Sequence, residues 1–91
     1  MPRKIFKYPL ALTDDYQKIP MPAGANIVEV AAQAGAICLW AEFNEPIDEA
    51  TSEDRYFRVY GTGHPIHDPE ASFVGTAHSP PFVWHVYETK K

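Results

Sequence analysis

The stretch RVYGTGHPIHDP, Arg58 to Pro69, brings a guanidinium, a phenol, two glycines, a threonine, two histidines, a carboxylate and two prolines into twelve residues. Gly61 and Gly63 can take positive φ or let another chain segment come close. Pro65 and Pro69 fix φ and push the residues before them away from helix. The expected product is a stiff loop that displays polar groups, the kind of segment on which function concentrates. Three chemistries fit the residue types. His64, His67 and Asp68 are metal-ligand types. In an extended chain, however, i and i+3 point to opposite sides, so shared ligation would need a turn and a third ligand such as His78 or His85. No metal is expected. The successive N–H groups of Gly61-Thr62-Gly63 could form an anion nest. The downstream Gly-Lys-Ser/Thr and helix of a P-loop are missing. Thr62, Ser72, Ser79 and Cys38 are possible nucleophiles, but none lies in a nucleophile-elbow pattern, so no catalytic residue is assigned.

The segments beside this loop carry the second part of the pattern. RYFRVYG alternates Phe57 and Val59 against Tyr56, Arg58 and Tyr60. FVWHVYE alternates Phe82, Trp84 and Val86 against Val83, His85 and Tyr87. Both read as strands with one oily face. If they pair, Arg58, Tyr60, His85 and Tyr87 share a face, an aromatic shelf with one guanidinium. Such a shelf suits a stacked planar base with a phosphate on arginine. It suits a protein partner equally well, since Tyr, Trp and Arg dominate interface energetics. The candidate ligand-binding residues are therefore Arg58, Tyr60, Gly61, Thr62, Gly63, His64, Trp84 and Tyr87. Arg58 supplies charge, and Tyr60, Trp84 and Tyr87 supply stacking area. Gly61 and Gly63 allow close backbone approach, and Thr62 and His64 form hydrogen bonds. No cofactor is implied.

The elements that must hold these groups are short strands. KIFKY places Phe6 and Tyr8 on one side and Ile5 on the other. YQKIPMP is kept extended by Pro20 and Pro22. PAGAN and AGA read as turns. NIVEVAAQ fits a half-buried strand, its β-branched residues and flanking glycines weighing against a helix. AICLWAEF is apolar on both faces, with Ile37, Leu39 and Phe43 opposed to Cys38 and Trp40, as a central strand would be. NEPIDEATSED, Asn44 to Asp54, reads as a solvated acidic connection. Nine prolines among 91 residues exclude a mostly helical chain. The predicted fold is mainly β: a small antiparallel sandwich or partly open barrel of about six strands, with little or no helix, in a single domain over residues 1–91.

A net charge of −4 argues against broad nucleic-acid binding, which needs clustered Lys and Arg. The opening MPRKIFKYPL has no long apolar stretch and no run approaches a membrane span, so a soluble intracellular protein is expected. Cys38, the only cysteine, reads as a small core residue. A domain this small has a thin stability margin, and self-association into a homo-oligomer is expected to supply further burial.

KIFKYPL, MPAGANIVEV, CLWAEF, RYFRVYGTGHPI, FVGT and FVWHVYE, in that order, resemble a family of small, largely uncharacterised tailed-phage proteins. The resemblance runs from Lys4 to Glu88, and GTGHPI and the aromatic ending are its most specific parts. It implies an accessory protein made in the host cytoplasm that counters host defence without catalysis, by binding a host immune protein or sequestering a small nucleotide signal. Two alternatives stand beside it. One is a small phage enzyme acting on a nucleotide or phosphate substrate with His64, His67 or His85 as base. The other is a minor virion structural protein.

Overall fold

A computed structural model describes residues 2–45 and 51–90. The described residues run through seven strands: β1 (Arg3–Leu10), β2 (Gln17–Pro22), β3 (Asn26–Gln33), β4 (Ala36–Asn44), β5 (Ser52–Gly61), β6 (Ser72–Ser79) and β7 (Phe82–Thr89). All pairings are antiparallel, in a three-stranded sheet ordered β1-β4-β3 and a four-stranded sheet ordered β2-β5-β7-β6. The two sheets make a sandwich and do not close into a barrel. No described residue lies in an α-helix, and no helix is long and apolar enough to cross a membrane.

Side-chain alternation determines which strands are central. β4, apolar on both faces, is the middle strand of its sheet. Its Ile37, Leu39, Ala41 and Phe43 enter a common core with Phe57, Val59 and Val86 of the opposite sheet. Phe57, Leu39 and Val86 are the largest fully buried side chains, each stabilising the fold by about 2 kcal/mol through burial alone. Cys38 lies on the other face of β4 and is buried too. β2, with Pro20 and Pro22, lies at a sheet edge, where a missing N–H costs no ladder bond.

Sequence and structure differ at two places. First, the described residues form seven strands, in keeping with the expected number of about six, and the one not assigned from sequence is SFVGTAHS as β6. Glycine and alanine hide its strand character, but Gly75 is what the packing requires. A Cβ there would lie 2.8 Å from Val30 of β3, and the sheets come closest between β3 and β6. A register shift between Phe73 and Gly75 accompanies this approach. Second, the acidic connection is shorter than read. Ser52, Glu53 and Asp54 are already in β5, paired with Pro22, Met21 and Pro20, while residues 46–50 lie outside the described residues.

At the rim of the sandwich, Arg55 joins three elements. Its Nε and Nη2 donate to Glu88 Oε2 and Oε1 at 2.6 and 2.8 Å, and Nη1 donates to the Ala25 carbonyl at 2.5 Å. The fork thus links β5, β7 and the β2–β3 turn. Its hydrogen bonds to Glu88, opposed by partial burial and assisted by that carboxylate's charge, raise the Arg55 pKa.

Candidate ligand site

β5 and β7 pair in the register the alternation requires: Arg58 faces Tyr87 and Tyr60 faces His85. These four side chains therefore share the outer face of the four-stranded sheet. Tyr60 meets Tyr87 edge-on at 5.5 Å, and Tyr87 meets Phe73 of β6 at 5.6 Å. Tyr60 is only 3% exposed although it points away from the core. Two connections make that possible. The β5–β6 loop folds back over this face, and the β1–β2 connection brings up Tyr16.

Asp68 is the latch between them. Its Oδ2 accepts from Tyr16 Oη at 2.8 Å and from Thr89 Oγ1 at 2.6 Å, and its Oδ1 accepts from the Glu70 N–H at 2.8 Å. The last bond is the Asx turn that an Asp-Pro step favours, closed further by Ala71 N–H donating to the Asp68 carbonyl at 3.2 Å. Tyr16 is held by its neighbour. The Gln17 amide donates to the Ala11 carbonyl and accepts from the Ala11 N–H, both at 2.8 Å. Tyr16 and Tyr60 hydroxyls lie 3.5 Å apart. Burial first, then the hydrogen bonds to Tyr60 and Asp68, hold the Tyr16 phenol well above its ordinary pKa.

The two glycines of Gly61-Thr62-Gly63 do different work. Gly63, at φ +91°, is the third residue of a turn in which His64 N–H donates to the Gly61 carbonyl at 3.1 Å. Gly61 instead makes room, since a Cβ on it would sit 3.1 Å from the His64 ring and 3.3 Å from Trp84. Its N–H donates to His64 Nδ1 at 3.3 Å, so it is not turned toward an anion as a nest requires. Thr62 Oγ1 lies 2.8 Å from His85 Nε2, and Thr76 Oγ1 lies 3.0 Å from His85 Nδ1. Thr62 donates to the Val83 carbonyl at 3.3 Å. It therefore accepts from His85 Nε2–H, and Thr76 donates to Nδ1.

Beside these groups lies a concavity of about 630 Å³ lined by Asp14, Tyr16, Arg58, Tyr60, His64, Pro65, His67 and Asp68. The Arg58 guanidinium stacks 4.5 Å from the centre of the Tyr60 ring. Arg58 Nε is buried and has no hydrogen-bond partner among the described residues. A family model described as Domain of unknown function (DUF7352) matches residues 1–91. The chain belongs to that family. No curated protein and no solved structure matches it.

Not all eight candidate residues of this DUF7352 chain meet in one place. Arg58, Tyr60 and His64 line the concavity, and Tyr87 supports Tyr60 from beneath. Trp84 follows the inward parity of Phe82 and Val86, so it lies on the opposite face from Tyr60 and Tyr87. There it lines a second hollow of about 520 Å³ with Gly61, Thr62, His64 and Phe82. His64 is the wall between the two. Gly63 shapes the loop without lining either hollow. Asp14, Tyr16, Pro65, His67 and Asp68 complete the lining; the last three lie in the loop that the sequence singles out, whereas Asp14 and Tyr16 carry no local signal. Among the described residues no group of three or more His, Cys, Asp or Glu is placed to hold a metal ion.

Proposed function

We propose that this protein is a binding module whose Arg58–Tyr60 concavity takes a nucleotide-sized ligand, a flat ring carrying phosphate. We further propose that, in the tailed-phage setting implied by the sequence resemblance, it withholds such a signal from a host defence system. The observation that carries the reading is Arg58. A buried guanidinium N–H without a partner costs about 1–3 kcal/mol, and it is kept here beside an open hollow and stacked on a tyrosine. Arg58 lines the hollow, and a guanidinium there offers a flat surface for a ring and donors for an anion; its Nε is buried, so the contact falls to the rest of the guanidinium. Of the three histidines considered as a base, His85 has both nitrogens engaged by threonine hydroxyls, whereas His64 and His67 line the hollow; alanine at either should leave nucleotide binding in place if the site binds without turnover.

The test is a thermal-shift series with AMP, GMP and their 3′,5′-cyclic forms. A ligand that binds only the folded state raises the melting temperature in proportion to RT ln(1 + [L]/Kd). At least one nucleotide should stabilise the wild type and fail to stabilise Arg58→Met. A flat response to all of them would remove the nucleotide reading.

A second reading, docking on a host protein, is supported by Phe73 and Phe82, which are 59% and 58% exposed at the two ends of the β6–β7 hairpin. Phe73→Ser/Phe82→Ser should then abolish capture of a host protein while leaving any nucleotide response intact.

A further inference from the structure

The charges around the concavity limit the ligand more narrowly than its shape does. Its lining has one fixed positive group, Arg58, and two carboxylates, Asp14 and Asp68. Asp68 is already committed to Tyr16, Thr89 and the Glu70 N–H. Asp14 is exposed and makes no hydrogen bond or ion pair among the described residues. Its position is set by the turn before it, in which Thr13 Oγ1 accepts from Asp15 N–H at 3.3 Å and donates to the Asp15 carbonyl at 3.1 Å. The whole chain adds a net charge of −4. One guanidinium offsets one of the roughly two negative charges of a single phosphate monoester. A second or third phosphate within the same hollow would add negative charge beside these carboxylates, and because Asp14 is exposed that repulsion is strongest at low salt.

Resting on the nucleotide reading above, we infer that the concavity accepts a single phosphate and rejects polyphosphates, with Asp14 as the residue that enforces the choice. The uncommitted Asp14 carboxylate also faces a ligand that can donate hydrogen bonds, such as a base bearing an exocyclic amine. Discrimination here comes from a repulsive element lining the same hollow as the attractive one.

The experiment is calorimetric titration of AMP and ATP into the wild type, Asp14→Asn and Arg58→Met, in metal-free buffer at low salt. AMP should bind the wild type about tenfold more tightly than ATP. In Asp14→Asn that ratio should shrink by about threefold, mainly through a gain by ATP. Arg58→Met should lose both. ATP binding as tightly as AMP to the wild type, or a ratio unchanged in Asp14→Asn, would overturn the inference while leaving the nucleotide reading in place. No binding by either nucleotide would overturn the inference, and a flat thermal-shift response to GMP and the cyclic forms as well would overturn the nucleotide reading. Asp14 is exposed, so its replacement does not endanger the fold.

Discussion

Arg55 and Arg58 lie three positions apart on β5 and therefore on opposite faces of the sheet. The first points inward at the rim and is engaged at all three nitrogens: two bonds to Glu88, one to the Ala25 carbonyl and one to Met21 Sδ. The second points outward, stacks on Tyr60, and has a buried Nε with no partner among the described residues. Both are partly buried arginines on the same strand. The satisfied guanidinium holds strands together, whereas Arg58 lines a hollow and is the group to which the proposed ligand is assigned. The contrast separates structure from function more cleanly than any motif in the chain.

The strongest way to break the comparison is at Arg55. Arg55→Ala leaves Glu88 partly buried without its partner and should cost about 3 kcal/mol, roughly 15 °C in melting temperature. Arg55→Lys, which keeps the charge and loses the fork, should fall in between. Chemical denaturation of both variants measures this, and a loss below that of a surface ion pair would deny Arg55 its structural role. A smaller effect is expected at Gly75→Ala. Its new methyl meets Val30 in the closest approach of the two sheets and should cost about 1–3 kcal/mol, read in the same denaturation experiment.

Tyr16 sharpens the outer face. Its pKa is raised in the folded state, so the unfolded chain loses that proton first as the solution becomes alkaline. The stabilisation is intact below about pH 10, the ordinary tyrosine value, and is lost as pH climbs toward the folded value. Melting temperature should therefore fall above that pH, and Tyr16→Phe should make the fall shallower. Tyr8, raised by burial, retains part of the slope. The smallest stability effect belongs to Arg58. Arg58→Met removes both the stacking on Tyr60 and an unsatisfied N–H, and should change stability by less than about 1 kcal/mol. That near-silence, set against Arg55→Ala, completes the comparison.

The sheets were legible because period-two alternation is local. Phe57 and Val59 against Arg58 and Tyr60, and Val86 against His85 and Tyr87, show which strand faces are oily and which side chains would share a face on pairing. β6 escaped because the feature that makes it fit, Gly75 against Val30, is also what erases its propensity. The site was half legible. Arg58, Tyr60 and His64 are neighbours in sequence and in space. Tyr16 and Asp14 reach the same hollow from another connection, and no local pattern announces a contact across more than forty residues. Trp84 shows the reverse: its strand parity already excluded it from the face of Tyr60. Arg55 looked like any strand arginine until Glu88 came into reach.

The most direct measurement is a pair of arginine Nε–H resonances followed by 15N NMR during titration with AMP. Arg55 Nε–H, bonded to Glu88, should appear shifted by that bond and stay fixed throughout. Arg58 Nε–H should begin without a partner's shift and move progressively until the site is full. An Arg58 signal that never moves, or an Arg55 signal that moves as far, would contradict the assignment of this hollow as the binding site.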